Sequence, residues 1–589
     1  MASFLDKFKL NTAVDSRTKL DLSSQHITTG NFMQFNIAWS KELVPKEKIT
    51  INMETFARLE PLPVPTFGRA NIHNRAFFVP FRTIFPAWND FITDTRHQFQ
   101  ITGSTVGASK LVNTTPIIAN DVLCSFFAAS SNGLTRESST PIDDVVYQRG
   151  ASDNVGLEFT PKGRQVLKVL QSLGYNLNWT YADKTKFSAL PLLAVAKVYC
   201  DWYWPSNYTA DQQYANLDGL FRYDSVGSLN SEYKLELGVF DLKNIFDVIG
   251  RGVNYDSDYF VSAWDNPTTP SDGSYSEMIV NGNVDSHSYE LDVTSASDGE
   301  VYLGAADNMI SQYSLKMLRA LTDYMKRHQL VGARALDRYL ARFGINLPAE
   351  KLNRSLYLGC ATQGLQFGDI MSTADTDGAE LGKYAGKGLS YGDGNFEFET
   401  SEYGIMIIIS SIVPTVGYYQ GVDRNVMHTN KLDYFTPEFD NLGVQVITAN
   451  ELITADNAYT GLTNAQNLPT TTFGFTPRYA EYKTGKDRLT GDFRIKTIGA
   501  DDNSWHMMRE VEYSTAADVR HNVGFVRGLD AGQYSRIFYN TNADDGDKFK
   551  IIHNFNITSY SPMKSMFDTY EFEDKGDKVV EDVNGVKMN

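Results

Sequence analysis

The side chains in this sequence that are best placed for chemistry are seven cations within residues 311–343, where only two acidic residues accompany them. Apolar residues recur between them at helical spacing, which predicts a helical segment. One interpretation is contact with nucleic-acid phosphates, with Tyr324 and Tyr339 stacking on bases. The other is a solvated helix face or salt bridges between subunits, the more common role of a charge run. The cations are Lys316, Arg319, Lys326, Arg327, Arg334, Arg338 and Arg342.

Patterns typical of catalysis or metal binding are weaker. In the glycine-rich run Gly382–Ser390, glycine follows the lysine where a phosphate loop requires Ser or Thr, which favours a flexible loop. The acidic runs Asp375–Gly378 and Asp544–Asp547 lack EF-hand spacing and are interpreted as turns. His553 lies on the apolar face of a predicted strand and is interpreted as a core histidine. We therefore expect no enzyme activity, cofactor or metal.

Negative charge is concentrated in residues 206–310, which hold 18 acidic and four basic residues. This block accounts for a net −14 of the −17 of the whole chain. Such a block is unfavourable when buried unpaired or placed against a polyanion, so it is predicted to project into water. Apolar residues within it, Phe240, Ile245 and Phe246, leave open a role in contacts between copies of the chain instead of recognition.

The elements that must position these groups follow from hydrophobic periodicity. Alternation of apolar and polar residues predicts strands, helical periodicity appears in the middle of the chain, and strands return towards the C-terminus. Aromatic residues make up 13% of the chain, which suits a β-rich protein. Because the first and last strands are so far apart in sequence, a single core must pair them, as in an antiparallel Greek-key sandwich. The predicted strands are 33–39, 48–59, 74–81, 402–413, 442–447 and 548–560, and the predicted helices are 165–173, 190–203 and 311–343.

Targeting and redox signals are absent from the sequence. The first 21 residues interleave lysine and arginine with aspartate and contain no apolar core, so they do not resemble a signal peptide. The longest apolar run, Ile405–Ile409, is too short to span a membrane. The three cysteines are far apart, which suggests neither disulfides nor zinc and fits a reducing cytoplasm. We expect a soluble chain without membrane insertion.

Five sequence blocks resemble those of a known family. They occur in the family's order and span roughly residues 30 to 560. Together they are similar to the major capsid proteins of microviruses, especially the gokushovirus branch. The blocks are Phe56–Gly68, Arg75–Arg82, Trp88–Phe91, Ala333–Ile345 and Phe475–Lys483.

The resemblance implies a mainly β fold, with a single eight-stranded antiparallel jelly-roll β-sandwich and long helical and loop insertions. It implies an N-terminal arm at 1–30, the first strands with helical loops at 31–205, a surface insertion at 206–310 forming a threefold protrusion, and a helical segment with the remaining strands at 311–589. The protrusion is expected to serve host attachment.

The resemblance also implies the partners. The chain is expected to assemble with itself, through pentamers, into a small icosahedral virion shell around a circular single-stranded DNA genome. A small basic DNA-packaging protein, a scaffolding protein during assembly and a host surface receptor are the other expected partners, with assembly in the host cytoplasm. The alternative left open by the sequence is a β-sandwich protein that binds or cleaves glycans, because aromatic-rich β proteins with acidic loops also suit sugars.

Overall fold

The structure, a computed structural model, resolves the strands of the sandwich and much of the connections between them. It describes residues 17–94, 114–126, 161–176, 185–204, 237–264, 353–371, 384–440, 444–454, 463–493, 502–527, 534–539 and 546–563, with shorter pieces at 96–97, 110–111, 147–149, 157–159, 220–221, 293–295, 301–303, 343–345, 572–574, 577–581 and 587–588.

Long strands occur near both ends of the chain, and shorter strands lie in the connections between them. The strands are β1 Thr18–Asp21, β2 Ser24–Gly30, β3 Asn36–Leu43, β4 Lys48–Leu59, β5 Ala70–Pro80, β6 Arg96–His97, β7 Lys110–Leu111, β8 Ile117–Ala119, β9 Tyr147–Arg149, β10 Leu157–Phe159, β11 Lys186–Ser188, β12 Val293–Ser295, β13 Val301–Leu303, β14 Leu356–Met371, β15 Tyr384–Glu399, β16 Gly404–Pro414, β17 Val444–Thr448, β18 Thr472–Pro477, β19 Phe549–Ser561, β20 Phe572–Asp574, β21 Asp577–Glu581 and β22 Lys587–Met588.

The described helices all lie in the connections. They are α1 Phe81–Ile84, α2 Trp88–Ile92, α3 Asn120–Ser125, α4 Pro161–Ser172, α5 Leu190–Val198, α6 Val239–Ile249, α7 Arg424–Met427, α8 Ala449–Leu452, α9 Ala480–Lys483 and α10 Val523–Val526. Helix α5 continues as one π-helical turn, Tyr199–Tyr203. The predicted helices at 165–173 and 190–203 correspond to α4 and to α5 with its π-helical extension.

Eight long strands form two four-stranded antiparallel sheets, which are joined at one edge where β14 pairs with β15 over Gln366–Met371. One sheet has the order β2-β19-β4-β15 and the other the order β3-β16-β5-β14. Numbered one to eight along the chain, the strands pair first with eighth, second with seventh, third with sixth and fourth with fifth. This nested pairing is the jelly-roll, so the predicted fold is confirmed.

The two ends of the chain meet in one sheet, as the sequence predicted. Strand β19 lies between β4 on one side and β2, preceded by β1, on the other, and Ile552 stands opposite both Phe56 and Ile27. Residues 18–30, predicted as part of an N-terminal arm, are therefore integral strands of the sandwich. Their backbone groups pair with β19, which a free arm would leave to water.

The interpretation of Gly382–Ser390 as a flexible loop is wrong, because most of this run belongs to strand β15. The inward face of β15 is largely glycine, so it lacks the apolar alternation that identifies a strand. Neighbouring side chains fill the space instead. A Cβ atom on Gly388 would lie 2.6 Å from Leu59, and one on Gly392 would lie 2.3 Å from Gln363.

The two sheets bury one apolar layer between them. Both sheets contribute to it, with Ile49, Ile51, Met53, Phe396, Phe555 and Ile557 from one and Ala38, Ala76, Phe78, Met406 and Ile408 from the other. We call β3-β16-β5-β14 the covered sheet because helices α4 and α5 pack on its outward side. The ring of Phe77 on that side lies 6.1 Å from Tyr203. We call β2-β19-β4-β15 the open sheet.

The interior also holds a buried polar group on the open sheet, His553, which is fully buried as predicted. Its Nδ1 atom lies 2.9 Å from the Thr55 hydroxyl, which also accepts a hydrogen bond from the Asn74 amide at 3.3 Å. Burial, with a smaller contribution from the charge of His26, lowers the pKa of His553 to about 3. Burial also lowers the pKa of His506 and of His521 to about 4.

We expect the unassembled chain to lose stability as the pH falls from about 6.5 towards 4. In that window the unfolded chain protonates His553 and the folded chain does not, so the free energy of unfolding falls by about 1.4 kcal/mol per pH unit for this residue. Urea unfolding at pH 6.5 and 4.5 should show a pH dependence that is about 2–3 kcal/mol smaller in His553→Gln than in the wild type. Equal pH dependence in the two proteins would contradict the assignment.

Candidate interaction surfaces

The predicted cationic residues lie outside the described residues. These are Lys316, Arg319, Lys326, Arg327, Arg334, Arg338 and Arg342. The described residues that follow them include Phe343 and Ile345, whose side chains are 60% and 46% exposed. A contact of these cations with phosphates or with neighbouring subunits therefore stays a prediction.

The predicted acidic insertion does not project as a whole, since residues 237–264 are packed into the body. Helix α6 is amphipathic, and its residues Ile245 and Phe246 are fully buried, with the ring of Phe246 4.9 Å from that of Phe126. These two residues are core of the subunit and are unavailable for contacts between copies. Phe240, on the other side of α6, is 59% exposed.

The charge within the predicted insertion is unevenly distributed. Residues 237–264 contain four acidic and two basic residues, and two of the carboxylates serve the local fold. Asp241 accepts a hydrogen bond from the Gly238 amide at the start of α6, and Asp258 accepts two from backbone amides at 2.8 and 2.7 Å. Residues 265–310 contain nine acidic residues and no basic one. The excess charge therefore lies mainly after Trp264.

An ion-pair network organises the loop block, which we define as residues 415–548 between β16 and β19. Glu451 is fully buried and accepts hydrogen bonds from Arg424 at 2.8 Å and from the Tyr259 hydroxyl at 2.9 Å. The carboxylate of Glu481 lies 3.9 Å from Arg424 and 3.7 Å from His428. Burial lowers the pKa of Arg424, but the neighbouring Glu451, Tyr259 and Glu481 raise it above its usual value overall.

A strained tyrosine connects this network to the surface. Tyr479 adopts a left-handed conformation with φ of 65°, which a non-glycine residue keeps only when its surroundings require it. Its amide donates to the Gln445 side chain at 3.0 Å, and its hydroxyl accepts from the Thr436 amide at 3.2 Å. Gln445 in turn donates to Glu481. The block Phe475–Lys483 is therefore a structural clamp.

The clamp supports a group of exposed apolar side chains, which we call the aromatic patch. It comprises Val426, Tyr434, Phe435 and Tyr482, with exposures of 77%, 55%, 48% and 50%. The ring of Phe435 lies 5.2 Å from that of Tyr479 and 6.4 Å from that of Tyr482. Exposed aromatic residues on a rigid base are typical of protein interfaces.

A cavity of about 310 Å³ lies between residues 258–260 and the loop block. Its lining includes Tyr259, Tyr418, Asp423, Glu451 and Lys486. Lys486 is already paired with Asp423 at 2.9 Å and lies over the Tyr259 ring at 5.3 Å. These contacts hold residues 258–260, which belong to the packed stretch 237–264, against the loop block.

Among the described residues, the group that most resembles a nucleophilic site lies on the covered sheet. The Cys360 sulfur lies 3.9 Å from His73 Nδ1, and His73 Nε2 lies 3.6 Å from Asp256. Burial raises the pKa of the Cys360 thiol, but hydrogen bonds from His73 and Thr362 and the charge of Arg75 lower it overall. The Thr362 hydroxyl is nearer to His73 Nδ1, at 3.0 Å, and the sulfur is beyond the range of proton transfer. We interpret the group as a hydrogen-bond cluster.

The described residues offer neither a metal site nor a membrane-spanning helix. No three His, Cys, Asp or Glu side chains there are grouped closely enough to hold a metal ion. No described helix combines the length and apolar character needed to cross a membrane. The apolar run Ile405–Ile409 lies in strand β16.

The comparisons with known proteins agree with this architecture. A family model described as "Capsid protein (F protein)" matches residues 9–111 and 179–568. The chain belongs to this family of phage capsid proteins. The resemblance to microvirus major capsid proteins, stated from the sequence blocks, is thereby confirmed, and the virion is where such a protein resides.

Two capsid proteins show the extent of the similarity. Capsid protein VP1 of Bdellovibrio phage phiMH2K is 22% identical over 526 residues, which cover 85% of this chain and 86% of the relative. Capsid protein VP1 of Chlamydia phage 1 is 28% identical over 216 residues, which cover 36% of this chain. That match spans about a third, 35%, of the Chlamydia phage protein.

The capsid-family blocks identified the fold but not the roles of their residues. Phe77, Phe78 and Val79, in the second block, are core residues of the covered sheet. The network of Glu451 and Glu481 was missed, because isolated glutamates in a sequence give no sign of burial. The aromatic residues of the patch were visible only as composition, since their grouping depends on the clamp formed by Tyr479.

We expect Glu451→Gln to lower the free energy of unfolding by about 2–4 kcal/mol, measured in urea on the unassembled chain. The change leaves the Arg424 charge without its closest partner, and breaking a buried pair is strongly destabilising. Glu397→Gln is the matched control, because Glu397 is 57% exposed and pairs with Lys48 at the surface. It should change stability by less than about 1 kcal/mol. Equal effects of the two substitutions would refute the structural role of the network.

Proposed function

We propose that this capsid protein assembles with copies of itself into a closed icosahedral shell, through pentamers, around a single-stranded DNA genome. The observation that carries the assembly proposal is the aromatic patch of the loop block on a chain that belongs to a capsid family. In a lone subunit the patch would expose apolar surface at a cost of about 25 cal/mol per Å². A neighbouring subunit would remove that cost.

The energetics suit a shell built from many weak contacts. Association of two subunits is opposed by lost translational and rotational freedom, so a single contact of modest area is weak. A closed symmetric assembly repeats the same contact around each subunit and is stable as a whole. A rigid patch favours this, because little side-chain freedom is lost when its aromatic rings become buried.

Substitution of the patch tests this proposal. We expect Phe435→Ser combined with Tyr482→Ser to raise the protein concentration needed for assembly at least tenfold, because truncating aromatic interface residues costs about 2 kcal/mol or more. The stability of the unassembled chain should change little. Electron microscopy and light scattering of purified protein measure the assembly.

Tyr560→Ser is the control, since Tyr560 is an exposed tyrosine, 40% accessible, outside the patch. It should assemble like the wild type. Uniform closed particles from the doubly substituted protein at wild-type concentrations would contradict a role of the patch in assembly.

The remaining partners are proposals that rest on the family. Outside residues 206–310 the chain is close to neutral, so a separate small basic protein is proposed to help package the genome. A scaffolding protein is proposed to act during assembly, which we place in the host cytoplasm. The cations between residues 311 and 343 are proposed to contact DNA or neighbouring subunits.

Host attachment is proposed for residues 265–310, a refinement of the predicted insertion 206–310. Residues 237–264 belong to the body, and the segment after Trp264 carries the nine acidic residues without a counter-charge of its own. Strands β12 and β13 pair within this segment. A surface segment of one sign of charge steers a receptor of the opposite sign.

We expect the combination Asp272→Asn, Glu277→Gln and Asp285→Asn to lower the rate of adsorption to host cells about tenfold at low salt, with little difference at high salt, because the electrostatic attraction is screened there. Particle yield should be unchanged. Adsorption and yield are measured separately on the same preparations.

The matched control replaces three exposed carboxylates of the body, Glu42→Gln, Asp369→Asn and Glu512→Gln, with the same change in net charge. It should adsorb like the wild type. A loss of particle yield in the first variant, without a specific defect in adsorption, would refute attachment and favour a role in the shell. Membership of the capsid family supports the shell over the alternative of a glycan-binding or glycan-cleaving protein.

A further inference from the structure

The outward side of the open sheet, which we call the open face, presents its side chains in rows across four strands. The register of β2, β19, β4 and β15 places residues of different strands directly opposite one another. One row is apolar and consists of Ile27, Ile552, Phe56 and Tyr391. Ile27 is 70% and Tyr391 67% exposed, and Phe56 and Ile552 are half-buried. Nothing among the described residues covers this row.

A row of cations flanks the apolar row on one side. Lys550 and Arg58 stand opposite each other, next to Leu389, and Lys387 lies one step further along β15. The guanidinium of Arg58 lies over the Phe56 ring at 5.1 Å. No carboxylate of the described chain pairs with Arg58, Lys387 or Lys550. Lys550 donates a hydrogen bond to the Asp547 carbonyl at 3.2 Å, which leaves its charge without a counter-ion. The charge of the three residues is therefore available to an anionic partner.

The opposite end of the open face differs, because most of its cations are neutralised. Lys48 pairs with Glu397 and Arg17 pairs with Glu399. Lys19, in register with Tyr560 and Lys48, is the cation at that end for which no described carboxylate forms an ion pair. The row beside Phe56 and Tyr391 therefore carries more unpaired positive charge than the opposite end.

A polar row flanks the apolar row on its other side. It contains Gln25, Asn554, Glu54 and Asp393, in register across the four strands. The Gln25 amide donates to Asn554 at 2.9 Å, while Glu54 and Asp393 face each other as like charges without a cation from the described chain. Such a pair is unfavourable by itself. It becomes favourable when a partner supplies hydrogen-bond donors, such as the amino groups of nucleobases.

The three rows match the parts of a single-stranded nucleotide chain. Successive rows on one face of a strand are about 6.8 Å apart, which is comparable to the separation of phosphate, base ring and base edge. Aromatic residues on adjacent strands of an open four-stranded sheet are a known arrangement for stacking bases. Stacking tolerates any sequence, as packaging of a whole genome requires.

The position of the open face in the fold supports the same partner. The helices of the long connection between β5 and β14 cover the opposite sheet, whereas none of the described elements covers the open face. The open face is therefore the side of the sandwich whose described side chains are accessible to a polyanion.

We propose that the open face is the site where the subunit binds single-stranded DNA, with Tyr391 and Phe56 stacking on bases and Arg58, Lys387 and Lys550 contacting phosphates. This site rests on the proposed function, in which the shell encloses a single-stranded DNA genome, and it is separate from the cations of residues 311–343. In the polar row, the negative charges of Glu54 and Asp393 repel phosphate and favour the hydrogen-bond donors of a base edge.

Binding of two fluorescent oligonucleotides to the purified full-length chain tests the site. The probes are a 20-nucleotide oligothymidylate and an abasic strand of the same length, which has phosphates but no bases. Tyr391→Ala should weaken binding of oligothymidylate about tenfold and leave binding of the abasic strand unchanged, because only stacking is lost. Tyr539→Ala, at an 83% exposed tyrosine elsewhere on the surface, is the matched control and should bind both probes like the wild type.

The combination Arg58→Gln and Lys550→Gln should weaken binding of both probes. It should also reduce the slope of log affinity against log salt by about 1.4, since each phosphate contact on a single strand contributes about 0.7. Thermal unfolding of each variant verifies that the fold is retained, as expected for exposed side chains.

Three outcomes separate the explanations. Wild-type binding of oligothymidylate by Tyr391→Ala would overturn the proposal. If an open-face variant bound DNA like the wild type but failed to form particles, the proposal would also be overturned. That result would assign the open face to contacts between copies. If the wild-type chain formed no shells, the proposed function would fail, and the titration would still decide whether the face binds DNA.

Discussion

The structure depends on one strand that is buried on both sides. All eleven residues of β16, Gly404–Pro414, are buried, which requires an apolar layer above and below the covered sheet. The open sheet supplies one layer. The helices inserted between β5 and β14 supply the other, so this long connection is a structural part of the sandwich rather than an addition to it. Among the residues that the structure describes, nothing equivalent covers the outward side of the open sheet.

Alternation of apolar and polar residues predicted β3, β4, β5 and β19, whereas β2 and β14 were not predicted as strands. The outward residues of β4 could be identified from its period of two, and the pairing of the first and last strands followed from the need for a single core. Strand β15 was missed because its inward face is glycine, and the space is filled by Leu59 and Gln363, which lie far away in the sequence. The register that places Tyr391 opposite Phe56 depends on three-dimensional pairing and has no local signal.

The charge pattern of the sequence located the acidic block but not the roles of its individual carboxylates. The acidic block was correctly recognised as unusual, yet composition could not show that residues 237–264 return to the core. The apolar stripe of α6 explains this, since Ile245 and Phe246 require burial whatever the charge of the flanking segments. Carboxylates that serve the fold, such as Asp241 and Glu451, cannot be distinguished by composition from carboxylates that face solvent.

The two sheets of the sandwich differ in what their outward sides face. The covered sheet faces the inserted helices, and the open sheet presents aromatic residues and cations that pair with no carboxylate of the described residues. A cryo-electron microscopy reconstruction of DNA-filled particles tests this arrangement most directly. We expect Tyr391 to line the inner wall against genome density and residues 265–310 to lie at the outer surface. An open sheet turned outward, or one buried against a neighbouring subunit, would contradict it.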